Sequence, residues 1–357
     1  MNRYQQLDKR GKVALGAGVL AVVAVLALAV TDPETAGDVF ALIDGNLASA
    51  ALRTAVPIAF AALGGLFAEK SGVINIGLEG LLIVSAFAGA ASIALLTNDP
   101  GAASETMVWV GFAIGVFTSI LLSLLFAVVT IDLEADQIIA GLAVWLIALG
   151  LGPFAAQVLF SQFDSPSVNT LSTVAIPGLS QIPVVGPILF DANPTVYMLL
   201  IAVPASWYFL YHTPFGQWIR ASGENPKALD TAGIDVRRVR YGSVLLSGAL
   251  TGIGGAALSL VLVGKFTGGG ATIVNGRGFI AITAYLFGNY NPVGTFLASL
   301  LFATLEALQF RLQILGIGIP KSIIQMIPFV LVIVVLALVG RTRLPAAAGE
   351  HYDSGED

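Results

Sequence analysis

The sequence predicts an all-α, polytopic membrane protein: a helix bundle with about ten transmembrane helices, some of them short or broken. Two observations and one physical constraint lead there. Hydrophobic residues make up 56% of the 357 positions and charged residues only 11%, with a mean hydropathy of +0.87, far from the mix of a soluble domain. Apolar runs of about 17 to 25 residues recur along the chain, each long enough to cross a ~30 Å hydrocarbon layer as a helix. Backbone in lipid must satisfy its own hydrogen bonds, so these runs are helices.

The same composition excludes several function classes. There is no cysteine, hence no disulfide framework and no thiolate site. His212 and His351 are the only histidines, too few for a histidine-rich metal site. The run "VGKFTGGG" (263–270) lacks the spacing of a phosphate loop and follows no strand. The chain therefore shows no catalytic set, no metal site and no cofactor motif, and is read as no enzyme. Uphill movement of a solute would draw on an ion gradient or on another subunit. The net charge of −5 sits in loops and tails rather than on one face and says little about partners; no nucleic-acid partner is expected.

In order, the candidate spans are 13–30, 49–68, 76–96, 107–130, 137–160, 195–212, 241–263, 277–290, 293–311 and 321–340. Lys9, Arg10 and Lys12 precede the first, whose 18 residues exceed the usual core of a cleavable signal, so it reads as an uncleaved span. Asp136 and Gln137 open the fifth span at the membrane surface, where they cap the helix. Within the seventh, Gly248, Gly252 and Ala256 recur every four residues, a close-packing pattern. The eighth is short and flanked by Gly276 and Gly278, which suggests a partial or broken helix. Residues 1–12 form a tail, 13–340 the membrane domain and 341–357 an acidic tail, whose end "GEHYDSGED" (349–357) is read as disordered.

An even number of spans places both ends on one side. With the N-terminus cytoplasmic, 12 of the 17 basic residues fall inside, so the positive-inside rule sets both termini in the cytoplasm of a multi-pass cell-membrane protein. The outer loop 161–194, rich in Pro, Ser and Asn, would cap an external mouth. The inner loop, about 213–240, holds a short helix-like core, "PKALDTAG", with Pro226 at its first turn and Gly233 as its stop. A surface helix of about two turns, flanked by basic residues, suits a docking surface for a separate ATPase.

Candidate path residues are polar or aromatic groups in or beside the spans. In "SGVINIGLEG" (71–80), Asn75 and Glu79 are four apart and share a helical face, with Ser85, Ala86 and Gly89 continuing a small-residue stripe. A buried carboxylate in lipid is costly, by at least ~2.5–3.5 kcal/mol. Glu79 lies near the start of its span, so two readings stay open: a structural one, such as capping or a salt link to Lys70, and lining of a solute route. Glu306, Gln309 and Gln313 share a face of the ninth span, for solute or for neighbouring helices.

Four stretches carry a family resemblance: "SGVINIGLEGLLIVSAFAGA" (71–90), "DQIIAGLAVWLIALGL" (136–151), "GENPKALDTAGIDVRRVRYGSVLLSGALTGIGGA" (223–256) and "GRGFIAITAYLFGNYNPVGTFLASLLF" (276–302). In this order and spacing the chain resembles the inner-membrane permeases of binding-protein-dependent ABC importers. The branch is that of ribose-type sugar, branched-chain amino acid and nucleoside permeases, and "NIGLEG" looks most like the nucleoside and simple-sugar members. The resemblance implies a type II ABC importer-like bundle and a permease subunit for a small polar solute. Nucleosides stand first, then simple sugars, then branched-chain amino acids. It implies a cytoplasmic ABC ATPase that uses ATP and Mg, a second permease chain, identical or different, and an extracytoplasmic solute-binding lipoprotein. The family's coupling helix maps to about 224–233, on Glu224, Asn225, Pro226, Ala228, Ala232, Gly233 and Ile234. Trp145 departs from the related nucleoside permeases, which often have asparagine there. The path candidates are thus Asn75, Glu79, Trp145, Phe279, Glu306 and Gln309. The rival class is an ion-coupled secondary transporter or channel using Glu79 or Glu306.

Overall fold

The structure, a computed structural model, describes residues 44–314 apart from 184 and 271, together with residues 343–352. The spans expected at 13–30 and 321–340 and the tail 1–12 lie outside the described residues. Ten helices are described: α1 (Gly45–Lys70), α2 (Leu78–Leu96), α3 (Glu105–Ala127), α4 (Gln137–Phe160), α5 (Pro194–His212), α6 (Pro214–Glu224), α7 (Pro226–Thr231), α8 (Val236–Ala257), α9 (Arg277–Phe287) and α10 (Pro292–Ile314). Wider π-type turns extend α3 to Asp132 and α8 to Val263. Among the described residues, seven helices are long and apolar enough to cross a membrane, and α9 is a shorter apolar helix. The expected count of about ten spans therefore stands here at seven full helices and one partial helix, the latter in the expected place.

The chain divides into two compact units. In the smaller, the described residues are the first part of α1, the Ile176–Phe190 segment and α10 from Leu300. Leu47, Ala51 and Ala307 form its apolar core. Asp44 opens α1, accepting from the Leu47 amide at 2.8 Å and from Arg311 at 2.7 Å. These two donors, the amide first, hold its carboxyl below the ordinary value.

The larger unit contains Val56–Ala175, Asp191–Ser299 and the segment after Arg343. Its centre packs through small residues. A Cβ on Gly115 would lie 2.7 Å from the Ser85 carbonyl, and one on Gly255 would lie 2.5 Å from the Leu82 carbonyl. Ser119 Oγ donates to the Gly248 carbonyl at 2.8 Å and Ser85 Oγ to the Gly252 carbonyl at 2.6 Å. The glycine spacing in α8 thus brings α2 and α3 to near backbone contact, as small interfacial residues do in membranes. On the far faces of α3 and α4, Phe117, Leu125, Ile139 and Phe154 are exposed, the surface that lipid requires. Gly252→Val is expected to lower the melting temperature in detergent markedly, at a cost of about 1–3 kcal/mol or more for overpacking. The added Cβ alone meets the Val116 backbone at 2.9 Å. An unchanged melting temperature would show that α3 and α8 can separate freely.

The loop between α4 and α5 carries a two-residue antiparallel ladder, β1 (Val174–Ala175) with β2 (Asp191–Ala192). It is laced to the end of α8 by Val168 and Leu171, whose amides donate to the Gly264 and Leu260 carbonyls. Partial burial pulls the Asp164 carboxyl upward. The Gly268 amide at 3.1 Å and the Lys265 ammonium at 3.2 Å outweigh that and hold it below the ordinary value.

Three local expectations change. The inner loop folds as two helices, because Thr213 caps α6 through the Gly216 amide before α7 begins. Gln137 is buried rather than at a surface, and its carbonyl accepts the Ile74 amide at 2.7 Å, while Asp136 does cap α4. Residues 349–352, which open the stretch read as disordered, are packed together with 343–348: the Ala347 and Gly349 amides donate to the carbonyls of Gly223 and Gly72. Composition predicts poor self-burial, but it does not see glycines elsewhere that let this segment approach.

Candidate functional site

Past α8, the chain turns at Gly264 and runs without helix to Gly276, its Phe266, Ile273 and Val274 buried. Irregular backbone at membrane depth is tolerated only where protein covers it. α9 then starts from Gly276, which offers no side-chain cap. The first amides of a helix need acceptors, and the N-terminus favours negative charge. Glu79 supplies both: Oε1 accepts the Gly276 amide at 2.7 Å and Oε2 the Gly278 amide at 2.6 Å. Contact is so close that a Cβ on Gly278 would lie 2.4 Å from the Glu79 nitrogen.

The structure gives Glu79 a capping partner, one other than the Lys70 considered from the sequence. The carboxylate bonds to the broken helix and not to Lys70. Residues 71–77 are irregular, largely buried backbone before α2 starts at Leu78, and Glu79 in its first turn is buried. Asn75 consequently precedes the helix and shares no helical face with Glu79; its Oδ1 accepts the Gly77 amide and its Nδ2 donates to Ser247 Oγ at 3.3 Å.

Gly80 lets α2 approach α4, since a Cβ there would meet the Val144 carbonyl at 2.8 Å and Trp145 Cα at 3.0 Å. This places Trp145 edge-on to Phe279, ring centroids 5.2 Å apart at 85°. Both rings are half-buried. Trp145 stands eight residues beyond Gln137, roughly 12 Å along a helix roughly 36 Å long, within the span rather than at its rim. The larger unit thus gathers Glu79, Trp145 and Phe279 around the start of α9. Glu306 and Gln309, both half-buried, sit on the part of α10 that belongs to the smaller unit.

Sequence reasoning missed Glu69. Next to Lys70 at the end of a span it resembles a surface residue, yet it is buried. Its two oxygens accept the hydroxyls of Tyr285 at 2.9 Å and Tyr290 at 2.5 Å, and the Lys70 ammonium lies 5.4 Å from the Tyr290 ring. α9 is therefore held near both ends by carboxylates from other elements. The two tyrosines in "AYLFGNY" are the only signal in the letters.

The arm formed by α6 and α7 is the second candidate region. Glu224 closes α6 and Asn225 caps α7 by accepting the Ala228 amide at 3.1 Å, with Pro226 at the first turn. After Ala232, the Gly233 amide donates to the Asp230 carbonyl and the Ile234 amide to that of Leu229, with Gly233 at φ +80°. This is a Schellman stop. Glu224, Asn225, Ala228, Ala232 and Gly233 are exposed, Pro226 and Ile234 half-buried. The helix is Pro226–Thr231, shorter than the expected 224–233. Among the described residues, no group of acidic or histidine side chains could hold a metal.

A family model described as "Branched-chain amino acid transport system / permease component" matches residues 47–336. The nucleoside ABC transporter permease protein NupC of Lactococcus lactis subsp. cremoris (strain MG1363) is 38% identical over 301 residues, 83% of this chain and 93% of that one. The guanosine ABC transporter permease protein NupQ of Bacillus subtilis (strain 168) is 36% identical over 312 residues, 86% and 96% of the two chains. A second guanosine permease of that strain, NupP, is 27% identical over 301 residues, covering 80% and 79%. With a match over 47–336, this chain belongs to the family of branched-chain amino acid transport system permease components.

Proposed function

We propose that the chain forms the translocation route of an ATP-driven importer for nucleosides. The observation that carries this is identity of 36–38% over almost the whole length of a nucleoside and a guanosine permease. A cytoplasmic ABC ATPase hydrolyses ATP with Mg, and this chain carries out no hydrolysis. The exposed arm, through Glu224, Asn225, Pro226, Ala228, Ala232, Gly233 and Ile234, is the surface that meets it. The basic residues around the arm support a cytoplasmic position for it and for both termini. Two guanosine permeases of different sequence in one strain support pairing with a second, different permease chain. A solute-binding lipoprotein delivers nucleoside to the opposite face.

On this reading solute passes beside the broken helix, a common place for transport sites. Trp145 and Phe279 present aromatic faces and edges there, suited to a nucleobase. Base stacking on one aromatic ring contributes about 1–3 kcal/mol. Trp145→Ala is thus expected to raise the KM for nucleosides about tenfold with basal ATPase unchanged. An unaltered KM would remove the aromatic pair from the route.

The reading as a whole is tested in proteoliposomes holding the chain with its partner permease, ATPase and lipoprotein. Expected is guanosine or adenosine uptake that requires ATP. Uptake by this chain alone under an ion gradient would overturn it in favour of an ion-coupled carrier. ATP-driven uptake of glucose or leucine without nucleosides would replace the substrate.

A further inference from the structure

α7 is too short to hold its own position. A helix of six residues is unstable alone, and Leu229 is its only buried side chain. The chain segment 343–352 supplies what is missing. Tyr352 donates its hydroxyl to Asp230 Oδ2 on α7 at 2.9 Å. Upstream, the Ala347 amide donates to the Gly223 carbonyl at the end of α6 at 2.8 Å, and the Gly349 amide to the Gly72 carbonyl after α1 at 3.0 Å. The Glu350 carbonyl accepts from Arg240 Nη1 on α8 at 2.8 Å.

These contacts make one mechanical unit. Gly72 and Gly223 are the two points where the segment comes down, and neither tolerates a side chain: a Cβ on Gly223 would lie 2.3 Å from the Lys70 carbonyl, and Gly72 has φ +97°. Ser222 Oγ ties the end of α6 to the Ser71 carbonyl at 2.7 Å. The same turn follows directly on Glu69, which holds Tyr285 and Tyr290 at the far end of the broken helix. Arg240 is buried beneath the segment, and its Nε and Nη2 find no acceptor among the described residues. Burying unused donors is costly, a cost that the contacts of the segment must offset.

We propose that residues 343–352 are a strap that fixes the orientation of α7 for its ATPase, with Tyr352 and Asp230 as positioning residues. This rests on the arm being the ATPase-facing surface. A push on α7 then passes through Tyr352 and the strap to the Gly72 turn, and from there to the carboxylate that holds α9. Asp230 lies outside the set of residues that the family resemblance assigns to coupling.

Tyr352→Phe removes one hydroxyl and leaves the ring. Two measurements follow on it and on a chain ending at Leu344. In the purified full chain, hydrogen exchange of the Ala228–Gly233 amides is expected to quicken about fivefold in Tyr352→Phe, the loss of one hydrogen bond, with exchange in α2 and α3 unchanged. In the complete transporter, the nucleoside moved per ATP hydrolysed is expected to fall about fivefold. Asp230→Asn, which keeps an acceptor, is expected to retain the ratio, and Asp230→Ala to lose it. A normal ratio in Tyr352→Phe would overturn the proposal, even with faster exchange. So would an equal loss in Asp230→Asn and Asp230→Ala. If wild-type uptake needs no ATP, the functional reading fails instead, and the exchange experiment still decides whether the strap holds α7.

Discussion

Glu79→Ala is expected to abolish transport and to reduce the amount of folded protein recovered from the membrane. The carboxylate accepts the Gly276 and Gly278 amides, and alanine leaves both without that acceptor, the Gly278 amide at a buried position. Each buried unsatisfied donor costs about 1–3 kcal/mol, and stability of a whole domain is only about 5–15 kcal/mol. Glutamine separates charge from shape. It has the same reach, but one of its two ends is a donor that would face an amide N–H, so Glu79→Gln is expected to fall between wild type and alanine. Gly278→Val tests the same joint from the other side, since its Cβ would lie 2.4 Å from the Glu79 nitrogen. The check is thermal stability in detergent together with nucleoside uptake. Wild-type values for Glu79→Ala would show that the start of α9 finds its acceptors elsewhere.

Gly233→Val is expected to uncouple ATP hydrolysis from uptake without unfolding the chain. Gly233 has φ +80° and no atom within 4 Å of a would-be Cβ, so crowding plays no part. The effect is purely conformational: a β-branched residue in the left-handed region costs about 1–3 kcal/mol. The chain relieves this by giving up the Schellman stop, which moves Ala232 and Ile234 on the exposed side of the arm. Gly233→Asn is the control, because asparagine tolerates this conformation best among side-chain-bearing residues. Expected are near-normal uptake for asparagine and ATP turnover without uptake for valine. Equal behaviour of the two variants would show that the backbone turn at 233 carries no coupling. A bulky residue at Ala232 is expected to act in the same direction by altering the exposed surface.

The arm and the path were legible to different degrees. Pro226 and Gly233 are local signals, a fixed φ at a first turn and a free one at a stop, and the structure places both where the letters do. Gly248 and Gly252 were legible because a four-residue repeat on a helix names a face without naming its partner. Glu79 was half legible: a carboxylate beside a span must have a partner, but the partner is 197 positions away. Glu69 was not legible at all, since its burial comes from Tyr285 and Tyr290 more than 200 positions on.

The sequence by itself determined that this chain is a membrane-spanning helical bundle, where seven of its full spans lie, that one segment is broken, and that an exposed short helix starts at Pro226 and is stopped by Gly233. Composition, periodicity and turn chemistry act over a few residues, so they survive without coordinates. Only the tertiary structure decided what holds the broken helix, why Trp145 meets Phe279, and that residues 343–352 pack against the turns at Gly72 and Gly223. Those depend on glycines at 72, 80, 223 and 278 admitting distant backbone and side chains to contact, and a missing side chain names no partner until the fold supplies one.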